Sequence, residues 1–340
     1  MKKHSVIEVE QSIREDLAFV EGQFRVISVD DASKEASMMR MRVGTLYGEH
    51  LALAEVPAAI RDQINVGVVL CCTGWPETIG KEAGLFLEVN ELLPPEQYTL
   101  HHCPTTKLPV FGAQSAVGIA QLLDHEVRNP AVAQAVHALL SQYKIFKPFF
   151  TKPASVEAHH AEPGGLAAHS LEVGRLVAAI PSQYFGKPIN RDVSIAAALL
   201  HDLGKIHQYR VAGEPYRMSH IKHQDRTLCL IAPMIEWLEQ HEDISVAELL
   251  FSLLTIDGSS EHASSVAAIA LTQADRMSAT HDAARIAFSG LPNHCRHAIR
   301  GLGGGSTKKY IRAVEQYREP PYVKSIALDG GETLSADDAT

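Results

Sequence analysis

The chain has 340 residues, 46% of them hydrophobic and 21% charged, with a formal net charge of -9. That length holds two or three domains with substantial cores, and the acidic balance excludes a generally basic protein that coats nucleic acid. It leaves open chemistry on polyanions at a site where a bound metal supplies the positive charge locally.

Cys71, Cys72, Cys103, Cys229 and Cys295 form an odd set with no C-x-x-C pair, which argues against a disulfide framework and a cysteine-based zinc site. The opening MKKHSVIEVEQ meets acidic residues too soon for a signal-peptide core. No apolar run approaches the roughly 20 residues of a membrane helix. The expected setting is cytoplasmic, with no membrane partner.

Residues 1–20 read as a polar lead-in with a short helix. Between Phe24 and Leu93, FRVISVD, MMRMRVGTLYG, HLALAEV, VGVVLCCTG and GLFLEVNELLP are short β-branched and aliphatic runs separated by Gly, Asp and Pro. With PAAIRDQI as a helical insert between the third and fourth, they predict an OB-like β-barrel over residues 1–100. Tyr47, Trp75 and Phe86 are either packing residues of its core and rim or platforms on which bases stack. YTLHHCPTTKLPVFG carries two prolines and no periodicity, so residues 101–112 are expected to be a linker. Its His101, His102 and Cys103 are adjacent and lack distant partners, which fits a solvated connection better than a metal site.

Residues 113–300 read as helical. AVGIAQLLDHEV and NPAVAQAVHALLSQY have helical spacing, the second with Asn129 as N-cap and Pro130 at its first position. IFKPFFTKPAS is expected to interrupt with its prolines. Its Lys144, Lys147 and Lys152 with Phe146, Phe149 and Phe150 are either a basic-aromatic strip for a nucleic-acid backbone or packing between helices. Further helices are expected after Gly164, over 190–205, 223–240, 246–254 and 264–279. From Gly301, GLGGGSTKK lacks phosphate-loop spacing and follows no predicted strand, so residues 301–340 are read as a flexible C-terminal tail. The fold class is α+β and multidomain: a small OB-like barrel followed by an all-α bundle.

The chemistry centres on SIAAALLHDLGKIHQ, where His201 and Asp202 end an almost wholly apolar helix. Polar groups are costly there unless paired, and a metal ion pairs both. His169 shares the apolar face of Leu166, Val173, Leu176, Val177 and Ile180. Asp275 shares that of Ala268 and Leu271. Helices of a bundle can converge such side chains into the oxygen and imidazole set that divalent metals take.

This H…HD…D order resembles the HD superfamily of metal-dependent phosphohydrolases. HHAEPGGLAAHSLEV, residues 159–173, is similar to the HHAYxGGLLEHTLSV-like segment of YhaM-type 3′→5′ exoribonucleases, which join an N-terminal OB domain to an HD domain. Ser219-His220-Ile221 matches the GHI-like step of that family. The same string resembles the HD part of MobH-type relaxases. The likeness is specific over residues 145–222.

The resemblance implies a phosphohydrolase, foremost a nuclease on single-stranded RNA or DNA, in which metal-activated water attacks a phosphodiester. It places one divalent ion (Mn, Mg, Fe, Ni or Co) on His169, His201, Asp202 and Asp275, with Asp202 also catalytic. His220, with Asp257 or His262, would hold a second. Lys205 would contact substrate phosphate or serve the helix dipole. His159 and His160 would face substrate or lie in a surface loop, and Glu162 would support either site or substrate. Where YhaM-like proteins carry an HHG-type motif, this chain has Thr255-Ile256-Asp257-Gly258, which leaves the second ion open. The alternatives are a relaxase-related or nucleotide phosphohydrolase, and a binding protein with a degenerate HD site; an oligomer is compatible with each.

Overall fold

The computed structural model describes residues 20–30, 38–155, 159–208, 221–255, 265–301 and 307–312. Strands β1 (Val20–Val29), β2 (Met38–Thr45), β3 (Gly48–Glu55), β4 (Val69–Ile79) and β5 (Glu82–Leu92) close into a barrel in the order β1-β2-β3-β5-β4. The β3–β5 pair is parallel and the other pairs are antiparallel. A single helical turn, α1 (Ala58–Arg61), lies between β3 and β4. The OB-like barrel is therefore present, with the helical insert between its third and fourth strands as expected.

Period-two alternation builds it. On β2, Met39, Met41 and Val43 turn inward while Arg40 and Arg42 face out. They meet Phe24, Val26, Leu70 and Leu87 in one barrel core. The β4–β5 hairpin runs further than the hydrophobic runs indicate, past Pro76 to a turn at Gly80, whose φ of +70° suits glycine.

The start of the segment expected to be a solvated linker is buried, while Thr106, Lys107, Val110 and Phe111 are exposed. Leu100–His102 forms a 3-10 turn, and His102 and Cys103 are almost fully enclosed. The backbone N–H of Thr99 donates to His102 Nδ1 (2.9 Å), and the opposite ring nitrogen meets Gln23 Oε1 on β1 (3.0 Å). The Arg25 guanidinium donates to the Ser141 carbonyl (3.0 Å) and lies over the Tyr98 ring. Around His102 the lack of periodicity reflects contacts with two different elements.

Helices α2 (Val110–Glu126), α3 (Pro130–Ser141), α4 (Tyr143–Thr151), α5 (Gly165–Ala178), α6 (Pro188–Leu200), α7 (His223–His241), α8 (Ile244–Thr255) and α9 (Val266–Ala287) follow. Asn129 caps α3, its Oδ1 accepting from the Val132 N–H (2.9 Å). Pro148 does not interrupt α4 but sits inside it. Phe146, Phe149 and Phe150 are buried and Lys144 and Lys147 exposed, so the aromatics of that strip are core. The barrel and the helices through Ala283 make one compact unit. In a second unit, residues 284–340, β6 (His297–Gly301) pairs antiparallel with β7 (Thr307–Ile311), so part of the stretch read as tail is a strand. Among the described residues no helix is long and apolar enough to cross a membrane.

Candidate metal centre

Three helices deliver the predicted ligands. His169 stands in the middle of α5 and is fully buried. The Gly164-Gly165 pair lets the 159–164 loop fold onto the start of that helix: Gly164 has φ +84°, and a Cβ on Gly165 would lie 2.1 Å from the His160 carbonyl oxygen. The loop is strained at His160, which has φ +45°. Its N–H donates to Asp282 Oδ2 on α9 (2.6 Å), and its carbonyl accepts from the Ala154 N–H (2.9 Å).

His201 caps the C-terminus of α6, and Asp202 begins the 3-10 turn Leu203–His207. Ending the helix there turns Asp202 away from the helical ladder and toward the cluster. Gly204 then makes room for α7, since a Cβ at that position would lie 1.9 Å from the His223 carbonyl oxygen. The Gly204 N–H donates to Thr227 Oγ1 (2.8 Å). This close approach seats His223 Nε2 at 3.2 Å from Asp202 Oδ1.

At the centre, His169 Nε2 lies 3.1 Å from Asp275 Oδ1 and 3.5 Å from Asp202 Oδ2. His201 Nε2 lies 3.5 Å from Asp202 Oδ2 and 3.8 Å from Asp275 Oδ1. Lys205 Nζ reaches Asp202 Oδ2 at 2.6 Å. Burial opposes ionisation of Asp202, but Lys205, His201, His223 and His169 hold it far below the usual carboxylate range. Asp275 is likewise pulled down by His169 and His201 against its own desolvation. Burial lowers His169. It acts on His201 in the same direction, but the Asp202 and Asp275 charges outweigh it and raise that ring.

The ring nitrogens show why a cation fits. His201 Nδ1 faces the Ala198 carbonyl (2.9 Å), which only accepts, so Nδ1 carries its hydrogen. Both Nε2 atoms, of His169 and His201, are buried without a hydrogen-bond partner while close to two carboxylates. Such orphaned atoms are rare in a folded core, and a divalent ion between them and the carboxylates satisfies all four groups. His169, His201 and Asp275 offer ligand atoms within 4.8 Å of one another.

A second convergence, His101, Asp124 and His137, has a different character. There His101 Nε2 and His137 Nε2 meet the two Asp124 oxygens with hydrogen-bond geometry, at 2.9 and 3.2 Å, and His137 Nδ1 accepts from the Leu100 N–H (3.4 Å). The nitrogens that would ligate a metal already donate to the carboxylate, so this group is a hydrogen-bonded clasp between the linker turn and α2 and α3.

His169, His201, Asp202 and Asp275 thus come together. Lys205 is brought to Asp202. His159, half-buried, has its ring 5.3 Å from that of His169, and burial with neighbouring positive charge lowers it to about 4. His160 is buried and not on a surface loop: its Nε2 lies 3.3 Å from both Ser278 Oγ and Glu172 Oε2. Glu162 joins His160 and Asp282 in a third convergence beside the site. His220, Asp257 and His262 lie outside the described residues. On the barrel, Tyr47 packs against the helical core, whereas Trp75 and Phe86, partly exposed on adjacent strands, stack at 4.5 Å. Sequence reasoning missed Glu172, Ser278 and Asp282. The signal was available: Glu172 is one helical turn after His169, and Ser278 and Asp282 are one and two turns after Asp275, on the faces already known to point inward.

Residues 166–280 match the HD domain family model. The curated relatives agree on that region. The 3′-5′ exoribonuclease YhaM of Listeria welshimeri is 33% identical over 98 residues, 29% of this chain and 30% of that protein. The YhaM of Geobacillus sp. is 35% identical over 80 residues, 24% of each chain. A dihydroneopterin 2′,3′-cyclic phosphate phosphodiesterase of Methanocaldococcus jannaschii is 40% identical over 60 residues, 17% of this chain and 24% of that protein. The likeness therefore spans less than a third of these relatives' lengths. No solved structure matches the chain. The HD domain and the names of these relatives support a hydrolase.

Proposed function

We propose that the chain is a metal-dependent phosphodiesterase that hydrolyses single-stranded RNA or DNA, after the manner of a 3′-5′ exoribonuclease. The observation that carries this is the pair of buried, unpartnered Nε2 atoms of His169 and His201 facing Asp202 and Asp275. These four side chains would hold one divalent ion. When bound, it supplies Lewis-acid charge for the phosphoryl group and for the attacking water. The protein's own part is orientation. The Ala198 carbonyl fixes the His201 ring, and His223 anchors the second oxygen of Asp202. His159, kept neutral by burial, offers one ring nitrogen at the rim for a substrate hydrogen bond. The Trp75–Phe86 stack gives the barrel a face on which bases can lie, so the barrel would guide the strand and the helical part would cut it.

The test is to supply the purified protein with Mn²⁺ or Mg²⁺ and 3′-labelled single strands of RNA and DNA. The expected result is metal-dependent release of short products, abolished in Asp202→Ala. Absence of any metal-dependent cleavage overturns the nuclease reading. A second reading, a phosphodiesterase of small cyclic phosphates, is favoured by the likeness to the Methanocaldococcus protein. Turnover of 2′,3′-cyclic nucleotides with polymers left intact would select it.

A further inference from the structure

Behind the candidate ligands runs a short hydrogen-bond chain that none of the proposed chemistry uses. Ser278, on α9 one turn after Asp275, is 1% exposed. Its hydroxyl donates to Glu172 Oε2 on α5 at 2.6 Å. Its oxygen also lies 3.0 Å from His169 Nδ1 and 3.3 Å from His160 Nε2.

The direction of this chain is forced. An ionised carboxylate only accepts, and a serine hydroxyl has one hydrogen to give. Glu172 is held ionised, burial being outweighed by its bonds from His160 and Ser278, with its carboxyl at about 2. Ser278 spends its hydrogen on Glu172, so toward His169 it can only accept. His169 Nδ1 must then carry the hydrogen, and the ring's lone pair is left on Nε2, the atom facing Asp275 and Asp202. Without Ser278 nothing holds the hydrogen on Nδ1, and the charge of Asp275, 3.1 Å from Nε2, draws it to that side of the ring even though the two do not meet with hydrogen-bond geometry. His137, with a backbone N–H behind its ring instead of a hydroxyl, does carry its hydrogen on Nε2 and meets Asp124 with hydrogen-bond geometry.

We propose that Ser278 and Glu172 are positioning residues that lock His169 in the Nδ1–H form and so keep its Nε2 available to a divalent cation. His160, donating into the same two oxygens, steadies the pair. Partners behind a ligating imidazole set ring orientation and basicity, and losing them typically lowers metal affinity by about 10- to 100-fold. The inference rests on the metal-centre reading above, but its first readout needs no metal.

The test uses the full chain with ¹⁵N-labelled histidine, wild type and the Ser278→Ala and Glu172→Gln variants. Ring-nitrogen spectra of the metal-free protein report the tautomer of His169, assigned by comparison with His169→Asn. The wild type should read Nδ1–H. Ser278→Ala should shift the ring toward Nε2–H. Glu172→Gln should do so in part, because the amide can donate to Ser278 and free its hydroxyl to point at His169. Glu172 is half-exposed, so this variant keeps the test available if Ser278→Ala does not fold. Titration with Mn²⁺ by calorimetry should show about 10-fold or greater loss of affinity in the variants, with the melting temperature of the metal-free proteins little changed. An Nε2–H ring in the wild type, or an unchanged Nδ1–H ring in both variants, overturns the proposal whatever the metal data show. If the wild type binds no divalent ion while its ring reads Nδ1–H and the variants shift it, the tautomer lock stands and the metal-centre reading is what fails.

Discussion

Lys205 Nζ sits 2.6 Å from Asp202 Oδ2, so a cation already neutralises the carboxylate expected to hold a metal. An ion held as proposed would share that carboxylate with the ammonium and compete with it electrostatically. Lys205→Met should therefore cost the metal-free protein about 1–3 kcal/mol, the range for leaving a buried polar group short of a partner. The metal-loaded form should lose less. Thermal melts with and without Mn²⁺ check this, and the metal-induced rise should be larger in the variant. Equal destabilisation of both forms would mean that Lys205 does not substitute for the ion.

Gly204 is expected to be intolerant for a steric reason. Its would-be Cβ meets the His223 carbonyl oxygen at 1.9 Å and the Thr227 nitrogen at 2.7 Å, both backbone atoms that cannot swing aside. Gly204→Ala should push α7 outward, cost about 1–3 kcal/mol in a urea titration, and loosen the His223–Asp202 contact. Unchanged stability would refute the close approach.

Acid sensitivity should arise partly at the buried turn between barrel and helices. Burial, reinforced by the charge of Arg25 and the neighbouring His101 and His137, lowers His102 from 6.5 to about 3. The folded chain therefore binds fewer protons there than the unfolded chain. Stability is complete above pH 6.5 and falls as the pH drops through that window toward 3. Urea midpoints across this range should fall less steeply in His102→Gln than in the wild type. Parallel slopes would exclude the contribution.

Trp75 is expected to matter for binding and little for folding, being partly exposed and stacked on Phe86 across the β4–β5 pair. If bases lie on this face, Trp75→Ala should weaken single-strand affinity by about 1–3 kcal/mol, roughly 5- to 150-fold. Fluorescence anisotropy with a labelled oligonucleotide measures it. Wild-type affinity in the variant would assign the stack to packing alone.

Much of this protein is legible in its sequence because the signals are local. Alternation on β2 and helical spacing around His169 each report one element's buried face, and the order of hydrophobic runs was enough for an OB-like barrel followed by a helical bundle. The His201-Asp202 doublet stood out because two polar groups in an apolar helix end demand a partner. The linker was misread for the complementary reason. A segment that contacts β1 on one side and α3 on the other carries no single period, and in sequence it looks like one that contacts nothing.

What the sequence determined alone was which residues point inward and which of those are costly there without a partner. Tertiary structure decided which atom meets which. Ser278 lies 106 residues from Glu172 and 109 from His169. Whether an imidazole offers a lone pair or a hydrogen depends on that distant oxygen. His169 and His137 are both buried histidines beside an aspartate. Packing leaves the first with Nε2 unpartnered and the second donating to Asp124, because a hydroxyl committed to Glu172 stands behind one ring and a backbone N–H behind the other.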